Sequence, residues 1–240
     1  MSTQHTPTPS PGVKSMFLIK RRPNSTREEL VAHWFANHMP AVIRALEGSA
    51  QGYAATLFDA NATGDHPWDG VAQIWTDAPM RTPAEPFGTT PTDSFQEHAE
   101  PYLPWITREY VVLDGSEHIP VHPLTLNAPF PCTRSGFFKI SFLVKAKPNV
   151  DYPAFFDHWL RVHVPNVAGV MHKVGGFRYV VSHSLDPTES PFAGMAELYF
   201  PDASGWQRYK ETIQADGMEQ WAADAGTLVL RARTEMIGIA

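Results

Sequence analysis

Apolar positions along the chain alternate between two periods. Short runs such as FLIK (17–20), GYAATLF (52–58) and GVAQIW (70–75) are apolar or alternate with period two, as strands do. Between them, Leu30/Val31, Trp34, His38 and Val42 recur at helical spacing. Ser25 and Glu28 at its start form a capping-box pattern. The second half of the chain has the same order. The strand FFKISFLVK comes first, then a helix from near Asp151 with Pro153 in its first turn. Its stripe is Phe155, Trp159, His163 and Val167. The strands FRYVVSH (177–183) and GMAELYF (194–200), a helix over 204–224 and a last strand over 227–238 follow. In the first half, the last strand is WITREYVVL (105–113). Each half therefore reads βαββαβ, the ferredoxin-like split βαβ unit.

The two halves are copies of one another. Residues 16–23 (MFLIKRRP) align with 141–148 (SFLVKAKP) at an offset of 125. The same offset aligns LVAHWFANHMPAV (30–42) with FFDHWLRVHVPNV (155–167), with H-W-x3-H-x-P in register in both. The ends also align, TDSFQEHAEPYLPWITREYVV over ADGMEQWAADAGTLVLRARTE. Repeats are placed at 16–115 and 136–240, with a Pro-rich linker at 116–135. Residues 1–15, rich in Pro, Ser and Thr, read as a disordered arm. The predicted architecture is α+β: two ferredoxin-like βαββαβ repeats packed sheet-to-sheet as an intramolecular pseudo-dimeric α+β barrel. In the first repeat, prolines between Pro79 and Pro104 interrupt the second helix and predict a remodelled loop.

Composition narrows the function. A hydrophobic fraction of 43% with 12% aromatics supports a real core. A net charge of −6 argues against nucleic acid or an anionic membrane as partner. No apolar run reaches the ~18–20 residues a membrane span needs, and the N-terminus lacks a secretory signal pattern. A cytoplasmic protein is expected. One cysteine, Cys132, excludes an internal disulfide and a thiolate metal cluster. No histidine spacing predicts a metal site. His118 and His122 read as linker residues in solvent.

The stretch KRRPNSTREELVAHWFANHMP (20–40) and its copy at 145–165 resemble the EthD family, within the dimeric α+β barrel superfamily. The resemblance implies a small-molecule pocket between helix and sheet. It leaves the activity open, because the superfamily hosts cyclases, isomerases, dehydratases, monooxygenases and haem proteins.

The helical stripe turns His38 and His163 toward the sheet, and imidazole titrates near neutral pH. On an α-helix the two histidines of each motif lie 140° apart, so His33 and His158 fall on the flank. Strand alternation puts Tyr179 and His183 on one row. The preferred catalytic set is His163, His183, Tyr179 and His38. Their buried reading, as structural histidines bonded to backbone, stands beside it. Trp34 and Trp159 are core anchors that can wall an aromatic ligand. Tyr199, Glu197, His98 and Tyr102 complete the substrate-binding candidates. Glu197 shares a row with Met195 and Tyr199 and can pair with Arg178. The expected function is cofactor-independent proton transfer by a lyase, dehydratase, cyclase or isomerase acting on a small aromatic or polyketide-like molecule. Haem held by an axial His163 or His38 is the alternative cofactor reading, and a non-catalytic binding or assembly module is the third. The chain could also pair again as a homodimer.

Overall fold

The computed structural model describes residues 6–60, 67–121 and 129–240. The fold is α+β, and every described strand register is antiparallel.

The first repeat begins with β1 (Val13–Ile19). That start lies three residues before the Met16 expected, because Val13, Lys14 and Ser15 are already buried in the sheet. Helix α1 (Arg27–His33) is capped by Thr26, not Ser25. The Thr26 hydroxyl accepts from Glu29 N–H, and Glu29 reaches back to Thr26 N–H. Ser25 is one residue too early for this reciprocal bond and instead meets His98 Nδ1 at 2.9 Å. A π turn (Trp34–His38) joins α1 to α2 (Met39–Ala45), and Met39 N–H donates to Trp34 C=O. Pro40 has no N–H to donate, so the usual i→i−4 ladder is broken here. Then come β2 (Ala50–Phe58), β3 (Gly70–Thr76), a one-turn helix α3 (Ser94–His98) and β4 (Trp105–Leu113).

Part of the segment expected to be only linker is structured. Cys132–Arg134 forms β5 and pairs with the final strand. His122 lies outside the described residues.

The second repeat matches the first. It runs β6 (Phe138–Val144), α4 (Tyr152–His158), a π turn (Trp159–His163) and α5 (Val164–Val174). The helix starts near Asp151, as the sequence predicts, and the Asp151 carboxylate caps it by accepting from Ala154 N–H. Pro165 stands where Pro40 does, and Val164 N–H bonds Trp159 C=O. Strands β7 (Arg178–Ser184) and β8 (Gly194–Phe200) precede α6 (Ala203–Thr212) and β9 (Leu228–Ile239). Helix α6 stops twelve residues short of the expected 224. Ile213 turns extended, and Gly217 takes a positive φ that its neighbours could not adopt cheaply.

The chain divides into two compact bodies. In one, β3 lies between β1 and β2, and β2 pairs with the C-terminal part of β9. In the other, β8 lies between β6 and β7, and β7 pairs with Thr107–Leu113 of β4. Each repeat's last strand thus also serves the other repeat's second strand. In both bodies the first helix packs on the sheet through a tryptophan, Trp34 or Trp159, each about 1% exposed.

Candidate functional site

The π turns aim His38 and His163 at the sheet. His163 lines a cavity of about 340 Å³ within the second repeat, with Trp159, Tyr179, Trp206, Tyr209 and Lys210. Its floor is Ala196 and Leu198 of β8. His163 Nδ1 meets Asp216 Oδ2 at 2.8 Å. A carboxylate only accepts, so Nδ1 carries the proton and Nε2 is the nitrogen left to the cavity. Asn166 donates to the same oxygen at 2.7 Å, and Met218 N–H to the other at 3.2 Å. Burial works against the Asp216 charge, but these hydrogen bonds and the His163 ring outweigh it and hold the carboxyl well below the usual range. Asp216 therefore stabilises the fold at neutral pH, and that contribution fades as the medium is acidified through its depressed pKa.

Two buried donors face this site. The Tyr179 hydroxyl and the Trp159 indole N–H have no hydrogen-bond partner of ordinary geometry. Burial pushes the Tyr179 phenol far above its usual range, so it remains a donor.

The first repeat has an equivalent cavity of about 310 Å³, lined by Trp34, His38, Tyr53, Phe95, Gln96 and Tyr102 among others. His38 Nδ1 meets Asp93 Oδ2 at 2.6 Å. Here the indole is engaged: Trp34 N–H donates to Tyr53 Oη at 3.4 Å, and the Tyr53 hydroxyl keeps its own proton to give. The two cavities share a plan but not a chemistry.

Asp93 and Asp216 are not among the residues that the sequence singles out. Yet they stand opposite one another in the aligned repeat ends, TDSF over ADGM. A carboxylate kept in register with a kept histidine was the available signal. It is weak because each pair is separated by more than fifty residues.

Other expected residues lie elsewhere. Glu197 and Tyr199 do not line the cavity, because strand alternation turns them away from the face that carries Ala196 and Leu198. Glu197 pairs with buried Lys139 at 2.7 Å, while Arg178 pairs with Asp114 instead. Tyr199 packs on Phe137, with Lys139 Nζ 4.8 Å above its ring. His98 also lies outside both cavities, stacked on His33 at 4.5 Å and bonded to Ser25.

His183 shares the row of Tyr179 but not its cavity. It stacks on Phe156 at 4.2 Å and touches Trp159 and Tyr110, beside a separate depression lined by Arg108 and Asp157. Its Nε2 is buried without a partner. Desolvation lowers its pKa to about 3. An unfolded chain takes up this proton below about pH 6.5, while the folded chain refuses it until far lower pH. Between pH 7.5 and 5.0 this one residue removes ~2 kcal/mol of stability. Urea unfolding at both values should show that His183→Phe, which keeps the ring stack, abolishes this share of the loss. An unchanged pH dependence would contradict the assignment.

Among the described residues, no helix is long and apolar enough to cross a membrane.

Comparison with known proteins supports the fold. No curated protein matches the chain. Several solved structures share the fold over nearly its whole length. A chlorite dismutase candidate is 12% identical, with 94% of this chain and 95% of the other covered, at a TM-score of 0.50. A monooxygenase candidate from Fusobacterium nucleatum subsp. nucleatum is 10% identical, with 95% and 94% covered, at 0.52. Chlorite dismutase from Candidatus Nitrospira defluvii, in complex with imidazole, is 9% identical, with 93% and 92% covered, at 0.51. At these identities the likeness speaks for the fold alone. The EthD domain profile matches residues 147–229, which span α4 to the start of β9 and hold both His163 and Asp216. That stretch of the chain is similar to EthD domains.

Proposed function

We propose that the second-repeat cavity is an enzyme active site that moves a proton on a small aromatic or polyketide-like molecule, with His163 Nε2 as the base. The observation that carries this reading is the His163–Asp216 pair beside two buried donors, the Tyr179 hydroxyl and the Trp159 indole, that hold no hydrogen bond of ordinary geometry. Asp216 fixes the tautomer and stabilises the imidazolium that forms. Nε2 takes a proton from a carbon or phenol next to a carbonyl. Negative charge then gathers on the carbonyl oxygen, where the Tyr179 hydroxyl and the Trp159 N–H are the donors at hand. Burial protects both donors from water, which strengthens them for this task. The imidazolium can return its proton to a leaving hydroxyl or to another carbon, giving dehydration or isomerisation. The apolar walls suit an aromatic substrate, and Lys210 at the lining suits one that carries an acid group. The Trp34 indole N–H of the first repeat is committed to Tyr53 Oη at 3.4 Å, whereas the Trp159 indole of the second repeat holds no such bond, and this supports the second repeat as the reactive one.

A second reading is haem binding. Solved structures of this fold include proteins named chlorite dismutase and one named as a monooxygenase candidate. The donor set fits: a histidine whose Nδ1 is bound to a carboxylate is a good iron ligand through Nε2. His163 would ligate the iron, and Lys210 is the charged lining residue that could meet a propionate. Bound haem would supply redox and oxygen chemistry. The cavity of about 340 Å³ lies near the small end of ligand pockets, which favours the smaller substrate.

Titration of the purified chain with hemin separates the two. The proton-transfer reading expects no saturable Soret shift, and expects turnover in a screen of phenolic and polyketide-like compounds that His163→Ala abolishes and His38→Ala spares. A one-to-one Soret shift lost in His163→Ala would replace it with the haem reading.

A further inference from the structure

The cavity of the first repeat is built as a binding site in its own right. Its outer wall is the Pro-rich segment between Pro79 and Pro104, and this segment is fastened down. Phe87 and Tyr102 exchange backbone hydrogen bonds of 2.9 and 3.0 Å. Glu100 N–H donates to Lys20 C=O at 2.7 Å, and Arg22 N–H to His98 C=O at 2.8 Å. The Arg22 guanidinium donates to Gly88 C=O at 3.0 Å. The fastened wall presents aromatic faces. Tyr102 lies 6.0 Å from Phe17, 5.8 Å from Phe87 and 6.1 Å from Phe95, between ring centroids.

The polar groups in that wall have fixed senses. Thr92 N–H donates to Gln96 Oε1 at 2.8 Å, and the Thr92 hydroxyl to the same oxygen at 3.0 Å. A backbone N–H can only donate, so the Gln96 oxygen is placed and its NH₂ faces Tyr102 Oη at 3.4 Å. The Tyr102 oxygen accepts there, and its own proton is left to donate. On the helix side, Asp93 holds the proton of His38 on Nδ1, which leaves Nε2 as an acceptor. The cavity thus combines two phenolic donors, Tyr102 and Tyr53, one imidazole acceptor and aromatic walls. Among the described residues, neither lysine nor arginine lines it, whereas Lys210 lines the second-repeat cavity.

We propose that the first-repeat cavity is a second, separate ligand site, which takes an uncharged planar aromatic molecule bearing a carbonyl and a hydroxyl. The carbonyl accepts from Tyr102, the hydroxyl donates to His38 Nε2, and the rings lie against Phe17, Phe87 and Trp34. The Trp34 indole is occupied by Tyr53, so an indole donor is not available to the ligand here. Binding at this site does not depend on the chemistry at His163.

The test is calorimetric titration of the full chain with 6-hydroxy-2-acetonaphthone. Ala72 and Ala196 occupy the same place on β3 and β8, one lining each cavity. Ala72→Phe fills the first-repeat cavity and is expected to remove a binding event that Ala196→Phe leaves in place. Tyr102→Phe, which keeps the ring, is expected to weaken the same event about 3–10-fold, the worth of one hydrogen bond. A wild-type chain without saturable heat would overturn the proposal. So would binding that survives Ala72→Phe and disappears in Ala196→Phe. Thermal melts check that each variant is folded. If Ala72→Phe does not fold, Tyr102→Phe decides, and an unchanged affinity overturns the proposal. A failure of catalysis at His163 would not alter these titrations, so the two readings fall separately.

Discussion

Asp216→Asn is expected to lower turnover at the second-repeat site by ~10²–10⁴-fold while leaving KM nearly unchanged. The amide is close to the carboxylate in size, and its one oxygen can keep the Met218 N–H while the NH₂ takes the place of the oxygen that His163 and Asn166 share. What it loses is charge. An amide NH₂ facing His163 Nδ1 favours the tautomer with the proton on Nε2, where the base is needed. It also removes the counter-charge for the imidazolium. An effect on kcat rather than KM separates this role from simple support of the 213–218 turn, which would change both. Asp93→Asn is the control. It makes the same change in the first repeat, and turnover should be retained. Equal loss in both variants would contradict a single reactive cavity. If hemin binds instead, Asp216→Asn should cost 10–100-fold in hemin affinity, as loss of a carboxylate behind a ligating histidine does.

Glu197→Ala is expected to destabilise the chain by ~3–5 kcal/mol, the cost of breaking a buried ion pair on one side. Lys139 and Glu197 are both almost wholly buried, with Nζ and Oε1 2.7 Å apart. Removing the carboxylate takes from the ammonium the oxygen it meets at 2.7 Å, and the Tyr199 ring 4.8 Å away is weak compensation. The companion experiment is the double replacement Lys139→Met with Glu197→Leu. It removes both desolvation costs and should recover most of the loss, because apolar residues of similar volume often match a buried pair. Urea unfolding of the three chains reads both effects. A loss under ~1 kcal/mol in Glu197→Ala would mean that the pair is solvated in solution.

These two residues also mark how far the sequence could be read. Alternation along GMAELYF correctly grouped Glu197 with Met195 and Tyr199. It does not say which row of β8 carries the helices, so Glu197 stands both as an ion-pair member and as a ligand contact, and its neighbours Ala196 and Leu198 hold the place in the cavity. The partner of Glu197 was equally hidden. Lys139 and Arg178 stand at equivalent places on the strands either side of β8, both opposite Tyr199, so the register does not choose between them and only the side-chain packing brings Lys139 to the carboxylate. His183 shows the same limit along a strand rather than across it. Its row was legible, but four residues span about 13 Å of strand, enough to carry it from Tyr179's cavity to the Phe156 stack.

The sequence by itself determined the duplication, the βαββαβ order of each repeat and the sheetward facing of His38 and His163. These follow from local periodicity and from a motif copied at constant spacing, which need no knowledge of distant contacts. The π turns before Pro40 and Pro165 left that facing intact. Only the tertiary structure decided the rest. Asp216 reaches His163 across 53 residues, and the short α6 lets the chain turn back to deliver it. Whether an indole N–H reaches the phenol oxygen at hydrogen-bond distance, as Trp34 reaches Tyr53, or stands more loosely, as Trp159 does beside Tyr179, depends on small shifts between helix and sheet. A hydrogen bond is made or lost within a few tenths of an ångström. A repeat pattern fixes positions to the nearest residue, and the chemistry that separates the two cavities is set on that finer scale.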